Sequence, residues 1–262
     1  MRRSSFLLGS LLLAVTAPAS SLLAQEVAVE RILAPGSGAP VHVWELRSEA
    51  TRGRPFILLF HQGGASGPAE YAPLLPRLRA LGYNLLVVDQ RSGGELFGGR
   101  NRTAAAYAEE PGYCEALPDL EVALEHARRV EPERRAILWG SSYSAALVIQ
   151  LAARRTDDVA AVLAFSPATG EPMEGCRPEP WAENLDLPLL ALRPRSEAEI
   201  PSVREQLDRL EAMGHRTFVA DPGAHGSSML VADRAHGDVA ATWAVVEAFL
   251  QDAQGRTSLT PR

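Results

Sequence analysis

The alternation of apolar and polar residues divides the chain into two kinds of predicted strand. Residues 26–34 and 41–47 alternate on either side of the sequence PGSGAP, which predicts a hairpin-like pair of half-exposed strands. Six later segments are short and almost continuously apolar, the pattern of strands that are covered on both faces. These segments span residues 56–60, 84–88, 136–139, 159–165, 187–192 and 217–220.

Segments with helical periodicity lie between these strands. They span residues 70–81, 114–130, 144–155, 202–213 and 238–251. Because strands and helices alternate with short connections, the sequence predicts an α/β fold in which a mostly parallel sheet of about eight strands has helices on both faces. Two longer inserts, residues 91–113 and 166–184, follow strand ends on the side where open α/β sheets keep their sites. We expect these inserts to form a small cap.

The N-terminal segment has the layout of a secretory signal peptide. Arg2 and Arg3 precede an apolar run over residues 6–17, and small residues follow up to Ala24. The run is too short to span a bilayer, for which about 20 apolar residues are needed. We therefore expect a signal peptide over residues 1–24, a periplasmic or secreted protein, and no stable membrane insertion after cleavage.

Length and composition favour a single domain after this segment. A chain of 262 residues with 46% hydrophobic and 22% charged residues is typical of one globular domain, predicted here over residues 25–252 with a disordered tail over residues 253–262. The net charge is -6 without any basic block, so nucleic acid is not an expected partner. The sequence contains no lysine, which excludes a lysine Schiff base, a pyridoxal-phosphate anchor and a lysine-containing phosphate loop. The oligomeric state is not indicated.

The two cysteines, Cys114 and Cys176, are expected to pair if the protein is exported. Both lie in irregular segments that follow strands, and an oxidising compartment favours a disulfide. The alternative is two separate buried thiols. A second pair of cysteines, as a zinc site would need, is missing from the sequence, and no metal is predicted.

Three serines follow the predicted strand 136–139 in the sequence GSSYS, at the start of a predicted helix. This arrangement resembles the nucleophile elbow G-x-S-x-G, with serine in place of the last glycine. The turn needs small residues two positions before and after the nucleophile, and Gly140 and Ser144 meet this need for Ser142. Ser141 would have the large residues Trp139 and Tyr143 at those positions. Ser144 is sterically possible but would lie inside the helix, and a serine that only caps the helix is the alternative for the whole motif.

The strand 56–60 is followed by HQGG, which resembles the H-G-G-G turn whose backbone amides hold an oxyanion in esterases and lipases. The expected oxyanion donors are the amide of Tyr143 and that of Gln62 or Gly63. The next strand ends in DQRSGG, similar to the D-x-R-G-x-G turn of the same hydrolases, where Asp89 and Arg91 are expected to brace the turn.

Together these motifs resemble those of the α/β-hydrolase superfamily, and within it the dienelactone-hydrolase-like and other small serine esterases. The resemblance covers roughly residues 26–251. It implies a catalytic serine, acid and histidine in that chain order, with the acid after the strand 187–192 and the histidine after the strand 217–220.

Both positions carry suitable residues. The segment LPLLALRPRSEAEIP places the acid at Glu197, with Glu199 close enough to compete and Glu171 or Glu174 as acids after the preceding strand. The segment DPGAHG resembles the loop of the family's catalytic base and places it at His225. The histidine at position 236 is the rival, although it lies beyond a further apolar stretch.

The predicted function is therefore a serine hydrolase that transfers the acyl group of a small ester substrate to water without a cofactor, through Ser142, His225 and Glu197. A peptidase or amidase on the same fold is one alternative, and a noncatalytic binding protein derived from the fold is another. A compact, partly apolar pocket is expected from aromatic and apolar residues of the two inserts, namely Phe97, Tyr107, Tyr113, Met173 and Trp181.

Overall fold

The computed structural model describes residues 28–258, so the predicted signal peptide and residues 259–262 lie outside the described residues. The strands are β1 Val29–Leu33, β2 Val41–Leu46, β3 Phe56–Phe60, β4 Asn84–Val88, β5 Ala136–Ser141, β6 Val159–Phe165, β7 Leu189–Pro194 and β8 Arg216–Ala220. The helices are α1 Gly67–Tyr71, α2 Leu75–Ala80, α3 Leu117–Val130, α4 Tyr143–Arg154, α5 Glu179–Ala182, α6 Arg195–Ala198, α7 Pro201–Ala212, α8 Ala232–Ala235 and α9 Ala240–Gln254.

The strands form one sheet of eight in the order β1-β2-β4-β3-β5-β6-β7-β8. The predicted pair β1 and β2 is antiparallel, β2 runs antiparallel to β4, and the six strands β3 to β8 are parallel to one another. Strands β3 to β7 are buried along their whole length, as their continuous apolar sequences require. The predicted α/β fold with a mostly parallel sheet is confirmed.

Helices cover both faces of the sheet. One buried cluster packs α3 and α4 against one face, and a second packs α1, α2 and α9 against the other. The carboxyl ends of the parallel strands therefore meet at one edge, where the loops after β3, β5, β7 and β8 lie side by side.

The helix predicted over residues 70–81 is wrong in its continuity. The chain forms the two short helices α1 and α2 instead, interrupted around Pro73. Pro73 has no amide hydrogen to donate to a preceding turn, and Pro76 occupies the first turn of α2, where a missing amide costs nothing. The apolar periodicity continues across the break, which is why the pattern alone predicts one helix.

The tail predicted from residue 253 is also placed too early. Helix α9 continues to Gln254, and Thr257 beyond it is 3% exposed. The carbonyl of Thr257 accepts a hydrogen bond of 2.7 Å from the amide of Arg135, and Ser258 forms an isolated bridge with Arg134. Residues 253–258 therefore belong to the folded chain.

The predicted disulfide is present. Cys114 and Cys176 are bonded, with their Cα atoms 5.6 Å apart, and the bond joins the end of the first insert to the second insert. Within residues 28–258 no helix is both long enough and apolar enough to cross a membrane.

The five residues expected to line one pocket do not all come together: Tyr113 and Trp181 pack against the buried cluster that contains Met173, whereas Phe97 and Tyr107 lie elsewhere. Tyr113 lies beside the turn after β5, where its ring stacks on Tyr143 with the ring centroids 4.5 Å apart. Trp181 also lies against Arg154, Phe97 lies against Arg234, and the hydroxyl of Tyr107 accepts the amide of Ala39.

Candidate active site

The turn between β5 and α4 has the geometry of a nucleophile elbow. Ser142 adopts φ 61° and ψ -119°, a region that residues with a side chain rarely occupy and that is tolerated where a tight turn enforces it. Gly140 explains the need for a small flank, because a Cβ atom at this position would lie 2.4 Å from the carbonyl oxygen of Ser144. The turn therefore requires glycine at position 140 and presents residue 142 at the end of the strand.

The three serines of this turn have different surroundings. The hydroxyl of Ser144 is buried, donates to the carbonyl of His61 at 2.5 Å and accepts from the side chain of Gln90 at 2.5 Å. The hydroxyl of Ser141 is also buried and accepts the amide of Ser227 at 2.9 Å. Ser142 is partly exposed, and its hydroxyl has no hydrogen-bond partner in the described part of the chain. Of the three, Ser142 has the hydroxyl that is available to a substrate.

His225 follows β8 and pairs with a carboxylate. Its Nδ1 atom lies 2.6 Å from Oε1 of Glu197, which follows β7. Since a carboxylate can only accept, Nδ1 carries the proton in this pair and Nε2 is free to act as an acceptor. Of the four candidate acids, the structure pairs His225 with Glu197, whereas Glu171, Glu174 and Glu199 are exposed.

The loop of His225 is fastened to the elbow. The amide of Gly226 donates to the hydroxyl of Ser166 at 3.0 Å, and a Cβ atom at position 226 would lie 2.2 Å from Oγ of Ser141. The amide of Ser142 in turn donates to the carbonyl of Phe165 at 2.8 Å. These contacts bring the loop of His225 next to Ser142, although no hydrogen bond joins the two side chains within residues 28–258. Catalytic hydrogen bonds are often long in a free enzyme and tighten when substrate binds.

The rival, His236, has no carboxylate partner between residues 28 and 258. It is exposed, adopts φ 55° and ends α8 in the left-handed region. Its backbone role as a helix cap explains its position.

A buried arginine holds the second oxygen of Glu197. The NH1 atom of Arg193 lies 2.8 Å from Oε2 of Glu197, and the two side chains are 6% and 17% exposed. Burial alone raises the pKa of this carboxyl, but the hydrogen bonds from His225 and Arg193 outweigh it and lower the pKa of Glu197 to about 2. The carboxylate beside His225 is therefore ionised at any physiological pH.

The loop after β3 places two backbone amides near the elbow, and only one of them is free. The amide of Gln62 donates to Oε2 of Glu70 at 2.8 Å, whereas the amide of Gly63 has no hydrogen-bond acceptor among the described residues. The amide of Tyr143 begins α4 and has no acceptor within the helix. Gly63 and Tyr143 thus offer unpaired donors, and the expectation that Gln62 is a donor is not supported by this contact.

His61 holds this loop as a neutral side chain. Its Nδ1 atom donates to the carbonyl of Gln62 at 2.8 Å, and its Nε2 atom accepts the amide of Gln90 at 2.9 Å. Burial lowers the pKa of His61 to about 4. The side chain is therefore a structural part of the turn.

Glu70 is a buried carboxyl that the sequence does not reveal. It is 0% exposed, and its Oε1 atom has no hydrogen-bond partner among the residues that the structure describes. Burial raises the pKa of Glu70 to about 7, against the smaller effects of Ser141, Gln62, Arg234 and His225. Because the residue falls in a segment with helical periodicity, the pattern gives no signal that the side chain points under the site.

Asp89 and Arg91 brace the neighbouring turn, as the sequence predicts. Asp89 accepts the amides of Gly67 at 2.8 Å and Arg102 at 2.7 Å. Arg91 forms a buried ion pair with Asp119 at 2.6 Å, a partner that sequence reasoning missed. Neither side chain contacts the elbow serine, and residues 28–258 contain no cluster of three or more side chains that could hold a metal ion.

The fold and the site together define the class of protein. An eight-stranded, mostly parallel sheet with a serine in a positive-φ turn after a central strand and a histidine–carboxylate pair at the same edge is that of an α/β-hydrolase. Residues 52–209, more than half of the chain, match the family described as serine aminopeptidase, S33, and the chain belongs to this family.

Solved structures of other hydrolases have the same fold. An esterase from Pyrococcus furiosus has a TM-score of 0.67 at 16% identity, over 87% of this chain and 92% of its own. A putative dienelactone hydrolase from Klebsiella pneumoniae has a TM-score of 0.63 at 17% identity, over 86% and 99% of the two chains. An acylaminoacyl peptidase from Pyrococcus horikoshii has a TM-score of 0.60 at 18% identity, over 87% of this chain and 42% of its own. A search of the curated proteins found no match.

Proposed function

We propose that this protein is an exported serine hydrolase that cleaves small carboxylic esters through an acyl-enzyme. The observation that carries the proposal is the contact of 2.6 Å between His225 and Glu197 in a loop that is fastened to the elbow of Ser142. A general base that is oriented by a carboxylate beside a strained, accessible serine is the arrangement that activates a hydroxyl for acyl transfer.

The reaction begins with proton transfer. Nε2 of His225 takes the proton of the Ser142 hydroxyl while the oxygen attacks the ester carbonyl carbon. The imidazolium that forms is stabilised by the ionised Glu197, and the proton then passes to the leaving alcohol. Water attacks the acyl-enzyme in the second half, with His225 again as base, and the acid product and free Ser142 result.

The negative charge of the tetrahedral intermediate falls on the former carbonyl oxygen. We assign its stabilisation to the amides of Tyr143 and Gly63, because neither has an acceptor in the described part of the chain, and not to Gln62, whose amide donates to Glu70. One such donor contributes about 3 kcal/mol in serine hydrolases.

Substitution of the proposed nucleophile tests the function. Ser142→Ala is expected to lower the rate of p-nitrophenyl acetate hydrolysis by about 10⁴-fold or more, with an unchanged circular dichroism spectrum. A fluorophosphonate probe should label the wild-type protein at Ser142, as mapped by peptide mass spectrometry, and leave the variant unlabelled.

A matched control is Ser202→Ala, which removes an exposed serine at the start of α7. This variant should retain full activity and labelling. A wild-type protein that neither hydrolyses aryl esters nor reacts with the probe would contradict the proposal and favour a noncatalytic binding protein.

A second candidate function is cleavage of amide bonds at a peptide N-terminus. The match to the serine aminopeptidase family and the fold shared with an acylaminoacyl peptidase favour it. The two candidates share the triad and differ in the leaving group. The ratio of kcat/KM for p-nitrophenyl acetate to kcat/KM for aminoacyl p-nitroanilides decides between them. An esterase should have the higher kcat/KM with the ester, and a peptidase the higher kcat/KM with the anilides.

Export is the part of the proposal that concerns residues outside the described ones. The disulfide between Cys114 and Cys176 supports it, because such bonds persist in oxidising compartments. N-terminal sequencing of the protein recovered from a periplasmic or culture fraction is expected to begin near residue 25.

A further inference from the structure

Arg193 lies behind the triad in a position that none of the catalytic steps uses. The residue belongs to β7, is 5% exposed and reaches Glu197 through NH1 at 2.8 Å. We infer that Arg193 is a positioning residue for the triad acid, which fixes the Glu197 carboxylate against His225 and offsets part of its negative charge. This inference rests on the proposed function.

The contacts of the guanidinium explain how it fixes the carboxylate. Each carboxylate oxygen of Glu197 has one partner, His225 for Oε1 and Arg193 for Oε2. The other end of the guanidinium, NH2, donates to the carbonyl of Pro167 in the second insert and to Oε1 of Gln206 in α7 at 2.5 Å. The contacts with Pro167 and Gln206 fix the planar guanidinium, and the hydrogen bond from its NH1 atom in turn fixes the carboxylate of Glu197.

The network continues into the second insert. The Nε2 atom of Gln206 donates to Oε1 of Glu179 at 2.9 Å, and Glu179 begins α5. Arg193 thus connects the triad acid with α7 and with the insert after β6. A lysine at this position would have one compact ammonium group and could not reach Glu197 and Gln206 in the same geometry.

The charge of Arg193 has a second effect, on the proton affinity of the base. Glu197 and Arg193 are largely buried, so their charges are weakly screened by water. In the wild-type protein, His225 faces a carboxylate whose charge is partly neutralised. Without Arg193 the full negative charge acts on the imidazole, the protonated form gains stability, and more alkaline solution is needed to free the base.

Other charged groups near the pair are present in every variant and cancel in the comparison. Arg195 and Asp221 form an exposed pair of 2.5 Å next to the loop of His225. Glu70 lies beneath the site and interacts electrostatically with His225 and Arg234. Glu179 accepts a hydrogen bond from Gln206 and also interacts electrostatically with Arg193.

The test compares neutral and charged replacements. In Arg193→Met and Arg193→Gln we expect kcat for p-nitrophenyl acetate to fall about 10- to 100-fold with KM within about twofold, because the base is misplaced while binding is retained. The acid limb of the kcat/KM profile should move to higher pH, because the negative charge of Glu197 is no longer offset. In Arg193→Lys the limb should remain at its wild-type pH, while kcat still falls several-fold because the ammonium loses the Gln206 contact.

A matched control is Arg128→Met. Arg128 lies on α3, outside the site, and pairs with Asp158 at 2.9 Å. Its pH profile and kcat should equal those of the wild-type protein. Folded neutral variants with an unmoved acid limb would overturn the charge effect, and Arg193→Lys with full wild-type kcat would overturn the positioning role. The lysine variant alone decides if the neutral ones fail to fold.

A measurement without substrate separates this inference from the proposed function. The pH midpoint of the His225 ring resonances, followed by NMR in the free protein, should be higher in Arg193→Gln than in the wild-type protein and in Arg193→Lys. A wild-type protein without esterase activity would contradict the proposed function, whereas equal midpoints in all three proteins would contradict the role of Arg193.

Discussion

At the scale of single residues, the sequence predicts side chains that stand in motifs and misses those that only a fold can place. Ser142 and His225 follow strand ends in recognisable turns, so their proximity could be expected. Glu70 and Arg193 cannot be found in this way. A glutamate in a helical segment and an arginine at the end of a strand are typical of exposed positions, so the pattern predicts both at the surface. Both are buried because strand ends converge there, which is a property of the sheet and not of the local sequence.

Glu70→Gln is expected to stabilise the protein at alkaline pH and not at acidic pH. Below pH 4.5 the carboxyl is protonated in the folded and the unfolded chain, so burial has no charge to penalise. Between pH 4.5 and about 7 the unfolded chain loses the proton while the folded chain keeps it, and stability falls as pH rises. The shift of the pKa corresponds to about 3 kcal/mol above pH 7, an upper value for the gain in the variant.

Urea unfolding of both proteins at pH 4.5 and pH 8 measures this difference. The exposed Glu205, which pairs with Arg209, provides the control variant Glu205→Gln, whose stability relative to the wild-type protein should not change by a comparable amount. An advantage of Glu70→Gln that is equal at the two pH values would refute the assignment of a buried, protonated carboxyl.

At the scale of elements, apolar runs predict the strands well because five of them are buried on both faces and leave no polar position to confuse the pattern. The long helices α3, α4, α7 and α9 are predicted within a few residues, whereas the one-turn helices α5, α6 and α8 are missed because four residues are too few to show a periodicity. At Pro73 a proline interrupts the backbone hydrogen bonds without interrupting the apolar stripe, so two helices are predicted as one. The elbow depends on both the strand and the helix predictions, because it connects β5 to α4 and needs a glycine where the two approach each other.

Gly140→Ala is expected to destabilise the protein by about 1 to 3 kcal/mol and to abolish most of the activity. The added Cβ atom would lie 2.4 Å from the carbonyl of Ser144 and 2.6 Å from the amide of Ala145, and backbone atoms cannot move aside as a flexible side chain can. The start of α4 must shift, and Ser142 and the amide of Tyr143 shift with it.

Thermal unfolding and kcat/KM for p-nitrophenyl acetate test this expectation together. Gly36→Ala is the control, because nothing lies within 4 Å of a Cβ atom at that position. A Gly140→Ala protein with wild-type stability and activity would show that the turn is looser than its geometry indicates.

At the scale of the whole molecule, the two inserts are held by a covalent bond and by polar contacts to the parallel sheet. Cys114 precedes α3 and Cys176 lies in the insert after β6, so the bond ties together chain segments that follow different strands. Next to Cys114, the ring of Tyr113 stacks on Tyr143, which follows the elbow serine at the start of α4. The bond therefore supports the rim of the candidate site as well as the fold. Its pairing could be predicted from export and cysteine number, whereas its position beside the elbow depends on the sheet order.

Replacement of both cysteines, Cys114→Ser with Cys176→Ser, is expected to lower the free energy of unfolding by about 4 kcal/mol and the Tm by roughly 10 °C. The bond spans 62 residues of sequence, and its loss restores the freedom of that loop in the unfolded chain. Reductant should lower the Tm of the wild-type protein toward that of the double variant and leave the variant unchanged, which separates the bond from the effect of the serine side chains. Equal Tm values for the oxidised and reduced wild-type protein would contradict a structural role, because a bond that closes a loop of 62 residues cannot be broken without freeing that loop in the unfolded chain.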